Sequence, residues 1–128
     1  NEPIQVFNYG KMKRDFTFID DITEGISRLI NKIPNKISSN TTSSKAKFKI
    51  YNIGNNNPVT LRRFIKSIET ACNKKAIENS LPMQDGDVPF TFANIDELIE
   101  TTGFSPSTSI ETGMKKFVEW YKEKSTHD

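Results

Sequence analysis

The chain has 128 residues, with 18 Lys and Arg against 16 Asp and Glu and a net charge of +2. That length suits one domain. Apolar residues at 34% fall low enough to predict a thin core, one that leans on a partner or is part of a larger unit. No apolar run approaches the ~18 residues of a membrane span, and the alternating signs of charge argue against electrostatic binding of nucleic acid.

The single cysteine, Cys72, excludes an internal disulfide, and the single histidine, His127, lies in the tail, so no His/Cys cluster is present to hold zinc. The chain opens on Asn1 without a basic-then-apolar leader, and this start reads as a cut end with no export signal.

Ile4-Gln5-Val6-Phe7 reads as a strand broken by Asn8-Tyr9-Gly10, with Gly10 free to take positive φ. Asp15 to Ile19 reads as a second strand with Phe16 and Phe18 on one face, joined to the first through a hairpin or loop over 10–14. A helix then starts at Asp20 or Asp21, with Asp21 and Glu24 at the reciprocal-cap spacing. Ile22, Ile26, Leu29, Ile30 and Ile33 form its apolar stripe toward a core, and Pro34 lies just beyond its end. Residues 34–47 form a polar, flexible surface loop without apolar period. Phe48 to Ile53 carries the strongest strand pattern, ended by Gly54-Asn55-Asn56-Asn57-Pro58.

Thr60 caps a second helix bearing Leu61, Phe64, Ile65, Ile68 and Cys72 on one stripe, which makes Cys72 a small core side chain rather than a reactive thiol. Ala76 to Leu81 suggests a short strand, and 82–89 a turn-rich loop. A short helix covers Asn94 to Thr101 and closes at Gly103. The last helix starts at a Thr108 cap with Glu111 reaching back, and buries Ile110, Met114, Phe117, Val118 and Tyr121. The order strand, strand, helix, strand, helix, strand, helix, helix gives an α/β or α+β fold in one unit, 1–128.

Signals for catalysis are sparse. Neither GxGxxG nor GxxxxGK[ST] occurs. Tyr9 and Lys13 have the Tyr-x-x-x-Lys spacing, but that pair works only when residues i and i+4 share a helix face, and both lie beside strands here. It is a decoy. Lys11, Lys13 and Arg14 beside a Gly turn are either solvated cations or a diphosphate site, for which the two-pronged guanidinium is suited. Gln84-Asp85-Gly86-Asp87 is either an ordinary Asp-Gly turn or a carboxylate for vicinal ribose hydroxyls. Asn55 to Asn57 serve equally as ligand donors or as a turn. Asn40-Thr41-Thr42 has glycosylation spacing by chance, and Trp120 reads as packing.

Taken together, the segment from Phe7 to Ile22 (FNYGKMKRDFTFIDDI) resembles the G-x-x-x-R-D-[FY]-[TV]-[YF]-[IV]-D-D stretch of nucleotide-sugar epimerases. Tyr51-Asn52-Ile53-Gly54-Asn55, the run from Leu81 to Pro89 (LPMQDGDVP), Asp96 and Gly103-Phe104-Ser105-Pro106 extend the resemblance, in order, over almost the whole chain. The wording is most similar to UDP-glucuronate 4-epimerases of the extended short-chain dehydrogenase/reductase family.

The resemblance implies the C-terminal, UDP-sugar-binding part of such an enzyme, with the N-terminal Rossmann half missing. NAD would be bound by that missing half and not by this chain. The full enzyme would oxidise the sugar at carbon 4 and return hydride to the other face, converting UDP-glucuronate to UDP-galacturonate. This chain alone would be inactive, with no catalytic residue and no metal ligand. The resemblance further implies backbone contacts from Val6 and Phe7 to the pyrimidine, Arg14 on the diphosphate and Asp87 on the ribose. Gln84 stands where many relatives carry Arg, able to hydrogen-bond a phosphate without adding charge. It also implies a cytoplasmic enzyme, homodimeric at full length, with no nucleic-acid or membrane partner. The alternatives are another member of the family, such as a dTDP-sugar 4,6-dehydratase, or a non-catalytic sugar-nucleotide or protein-binding module.

Overall fold

The computed structural model describes residues 2–34 and 48–125. The elements are β1 (Ile4–Val6), β2 (Lys13–Arg14), α1 (Ile19–Leu29), β3 (Val59–Thr60), α2 (Leu61–Cys72), β4 (Glu78–Ser80), α3 (Asp96–Thr102) and α4 (Ile110–Ser125). The order of types matches the sequence reading, and the fold class is α/β. Two strand assignments do not hold.

The first two strands form no hairpin. β1 pairs in parallel with β4, Ile4 opposite Glu78 and Val6 opposite Ser80, whereas β2 pairs antiparallel with β3. The chain between them takes three consecutive left-handed residues, Asn8, Tyr9 and Gly10, with φ of 48°, 51° and 76°. That turn carries β2 off to a second sheet. The strand expected over Asp15 to Ile19 is replaced by irregular chain running straight into α1. Its two rings pack on helices: Phe16 stacks on Phe64 of α2 at 4.4 Å, and Phe18 lies against Gly113 of α4.

α1 begins without a side-chain cap. The expected Asp21–Glu24 box is absent because both carboxylates are engaged elsewhere. Asp21 accepts from the backbone N–H groups of Ser107 and Thr108, at 3.3 and 2.9 Å, and Glu24 pairs with Arg28. The helix buries Gly25, where an added Cβ would stand 3.4 Å from Ile53. The Ile stripe turns away from that contact: Ile26, Ile30 and Ile33 are 49%, 73% and 78% exposed. Residues 48–53 form no strand in spite of their pattern, and Ile50 is 76% exposed. An extended segment needs a neighbour for its backbone groups, and among the described residues no free sheet edge meets it.

Thr60 caps α2 as expected, its hydroxyl accepting from the Arg63 N–H at 3.2 Å. The cap of α4 is Ser109 rather than Thr108: its hydroxyl accepts from the Thr112 N–H at 3.2 Å, while Thr108 is tied to Asp21 and Glu111 pairs with Arg63. α3 closes at Gly103 (φ 67°), as the sequence predicts. The core is small and lies under these helices, with Ile65, Ile95, Leu98, Ile110 and Val118 buried together with Val6 and Val59 from the strands and Met12 just before β2. Cys72 is half-buried in an apolar groove between α2 and α4, alongside Phe64, Ile68 and Met114. Phe117 and Tyr121, expected in the core, line the outer rim of that groove and are about half exposed. Apart from Pro34, the loop read at 34–47 lies outside the described residues, as does His127. Among the described residues no helix is long and apolar enough to cross a membrane.

Candidate functional site

Residues 4–14 and 77–91 run alongside one another, and this pairing builds the site. The Ile4 N–H donates to the Ile77 carbonyl (2.8 Å), Leu81 N–H to Val6 (3.0 Å), Tyr9 N–H to Leu81 (3.1 Å) and Lys13 N–H to Pro89 (2.9 Å). Between Leu81 and Pro89 the loop turns at Gly86 (φ 81°), and the Asp87 N–H donates to the Gln84 carbonyl at 3.3 Å. Pairing on both sides of this loop leaves it little freedom to place Asp87 elsewhere.

Asp87 thereby meets Arg14. Arg14 Nη2 stands 2.7 Å from Asp87 Oδ1, an ion pair between residues 73 apart in sequence, with side chains 24% and 31% exposed. Arg14 Nη1 donates to the Lys13 carbonyl at 3.0 Å, and the same Asp87 oxygen accepts from the Val88 N–H at 2.7 Å. The guanidinium is oriented from two sides and still reaches solvent, which is what binding a multiply charged anion requires. Of the three cations read as a cluster, Lys11 and Lys13 are exposed and Arg14 alone is half-buried. Val6 is buried and its carbonyl already accepts from Leu81; Phe7 is half-buried at the mouth of the left-handed turn; Gln84 is exposed on the loop. Tyr9 and Lys13 share no helix face.

Asp15, next to Arg14, is the residue that reading the sequence as a strand concealed. Its carboxylate accepts backbone N–H groups from Asn56 (3.1 Å), Asn57 (3.3 Å) and Ala93 (3.2 Å), and its own N–H donates to Thr91 Oγ1 at 3.1 Å. It ties the Arg14 segment to two others. The backbone N–H groups of Asn56 and Asn57 are therefore committed to Asp15. Asp is a poor strand former, and one set between Arg14 and Phe16 was the available signal. A concavity of about 900 Å³ is lined by Ile33, Phe48, Ile50, Tyr51, Glu97 and others, none of them a predicted ligand residue.

No family model matches the chain. Among curated proteins it is 48% identical over 129 residues to Protein CapI of Staphylococcus aureus, covering 96% of this chain and 39% of that one. It is 44% identical over 128 residues to the probable UDP-glucuronate 4-epimerase of Rhizobium meliloti, covering 94% and 38%. Among solved structures, UDP-glucuronic acid 4-epimerase from Bacillus cereus in complex with NAD superimposes with a TM-score of 0.74 at 24% identity, over 99% of this chain and 36% of that one. UDP-glucose 4-epimerase from Bifidobacterium longum in complex with NAD+ and UDP gives 0.79 at 18% identity, over 98% and 36%. The fold is shared with a stretch of about 36% of each of these epimerase structures. The chain is similar, as its motifs indicate, to UDP-glucuronate 4-epimerases, and it spans under two fifths of the curated relatives' length.

Proposed function

We propose that this chain is the substrate-binding part of an NAD-dependent nucleotide-sugar 4-epimerase acting on UDP-glucuronate and UDP-galacturonate. The observation that carries the proposal is the Arg14–Asp87 pair, an oriented cation and a carboxylate delivered to one spot by two paired segments. Arg14 binds the diphosphate, Asp87 the ribose hydroxyls, the backbone at Val6 and Phe7 the pyrimidine, and Gln84 adds an uncharged hydrogen bond to a phosphate. The sugar-nucleotide names carried by the relatives and by the solved structures support this reading.

The described residues do not fit a dinucleotide. Its pyrophosphate sits on a Gly-rich turn between strand and helix, and among the described residues no strand-to-helix junction is such a turn: residues 15–18 and Val59-Thr60-Leu61 carry no glycine, and 81–95 carries Gly86 alone. NAD and the groups that act at carbon 4 therefore belong to the rest of the polypeptide, and this chain is inactive alone. Its contribution is to hold the nucleotide so that the sugar is presented in one position, remote binding energy spent on orientation. The test is turnover of UDP-glucuronate by the full natural polypeptide supplied with NAD, followed by NMR of the sugar. Inversion at carbon 4 is expected; its absence on every UDP-sugar tried overturns the proposal. Displacement of bound UDP by dTDP at equal concentration would instead point to a dTDP-sugar enzyme.

A further inference from the structure

Arg62, the second residue of α2, belongs to none of the motifs above, yet it spans the two small sheets. Its Nη1 forms an ion pair with Glu78 Oε2 on β4, and its Nη2 donates a long hydrogen bond, 3.5 Å, to the Tyr9 carbonyl. The guanidinium also lies close against Gly10: a Cβ built there would stand 2.5 Å from Nε and 3.0 Å from Cζ. Arg62 thus occupies the space that any side chain at position 10 would take.

The turn it touches is strained. L-residues avoid the left-handed region, and Asn8 and Tyr9 both adopt it ahead of Gly10. Such conformations persist only where the surroundings over-determine them, and they concentrate at ligand sites. Here the Tyr9 N–H is held by Leu81 at 3.1 Å, the Lys11 N–H by Asn8 at 2.8 Å, and the Tyr9 carbonyl by Arg62.

We infer that Arg62, anchored by Glu78, is a positioning residue for the nucleotide: it fixes the Asn8-Tyr9-Gly10 turn and so sets the relative placement of the Phe7 backbone and Arg14. The inference rests on the proposed role of those two positions. A planar fork is needed to meet a carboxylate, a carbonyl and a glycine face together, which a lysine ammonium cannot do. Arg62 is about half exposed, so its loss leaves no core cavity, and affinity separates from stability.

The test measures UDP binding by calorimetry, UDP-sugar kinetics and Tm on the full polypeptide. R62A is expected to raise Kd for UDP and KM about tenfold, the scale of one charge-assisted hydrogen bond, with kcat within about twofold. R62K recovers only part of the affinity. E78Q, which releases Arg62 without touching the turn, raises Kd about threefold, and the double variant is no worse than R62A because the two act as a unit. R62A that binds UDP as the unaltered protein does, whatever its Tm, overturns the inference. If R62A does not fold, E78Q decides in the same way. R14A serves as the control: affinity lost in R14A but kept in R62A sinks this inference alone, whereas an unaltered protein that ignores UDP sinks the functional reading and this inference with it.

Discussion

At the level of single residues the site hinges on two neighbours with different duties. Arg14 is partly exposed, its Nη2 held by Asp87 and its Nη1 by the Lys13 carbonyl, so on the proposed reading a diphosphate would meet a donor fork already aimed. R14A should weaken UDP binding by ~1.5–3 kcal/mol, about 10–150-fold, with R14K recovering little because an ammonium cannot bridge two oxygens. Calorimetry at fixed ionic strength reads this directly, and equal affinity in R14A would remove the diphosphate role. Asp15 works on the fold. Three backbone N–H groups from two segments end on its carboxylate, and removing it leaves the part-buried Ala93 N–H without its partner and frees the exposed Asn56 and Asn57 N–H groups to water. D15A should cost about 1.5–3 kcal/mol in urea unfolding, the scale of hydrogen bonds to a charged group, with D15N losing less. An unchanged midpoint would show that water replaces the carboxylate without loss. Arg14 and Asp87 were each legible in the sequence as candidates. Their meeting was not, because no local pattern encodes a contact across 73 residues, and for the same reason Asp15 could not be matched to Asn56 and Ala93.

Among the elements, the helices and the strands β1 and β4 were readable, whereas the strands read at 15–19 and 48–53 were not, and no strand's partner was. The stripes of α2 and α4 and the Gly103 stop are local properties, written within one or two turns of chain, and they appear close to where the pattern puts them. Strands are defined by partners. β1 finds β4 more than 70 residues away, and 48–53 keeps a strand's alternation without acquiring a neighbour. Caps failed where a tertiary bond outcompeted the local one: Asp21 went to the Ser107 and Thr108 amides, and Glu111 to Arg63. That last pair joins α2 to α4 through two hydrogen bonds of 2.7 and 2.9 Å. The Arg63 guanidinium bonded to it pulls the Glu111 carboxyl down to about 2, below the ~4.3 of an unfolded glutamate. A carboxyl depressed in the folded state lends stability that is fully present above its unfolded value and fades as pH falls toward its folded one. The Tm of the unaltered protein should therefore exceed that of E111Q above pH 5, and the gap should close between about pH 4.3 and 2. The gap is small, since both groups are about half exposed. Melting curves that stay parallel through that window would mean the pair contributes nothing.

Over the whole molecule, the low apolar content and the misplaced stripe are one fact seen twice. A chain with 34% apolar residues has few to spare, yet Ile26, Ile30 and Ile33 on and after α1 stand in solvent, with Ile50 equally exposed and Phe48 nearly half so. Ile33, Phe48 and Ile50 line the same concavity, so this is a face and not a scatter. Monomeric proteins rarely expose contiguous apolar patches beyond a few hundred Å² without using them. On the proposed reading the face is covered by the remainder of a longer polypeptide, whose relatives run to more than twice this length. That also explains the strand pattern of 48–53, whose backbone partner would come from the same remainder. The excised 128-residue chain should accordingly bind an apolar dye and self-associate in sedimentation velocity, and I30E with I50K should suppress both. In the full polypeptide the sign reverses: I50K places a charge against an apolar partner and should lower Tm by several degrees. An excised chain that stays monomeric and dye-free, together with an I50K full polypeptide that melts unchanged, would mean that this face meets water in both settings and that the thin core is complete as it stands.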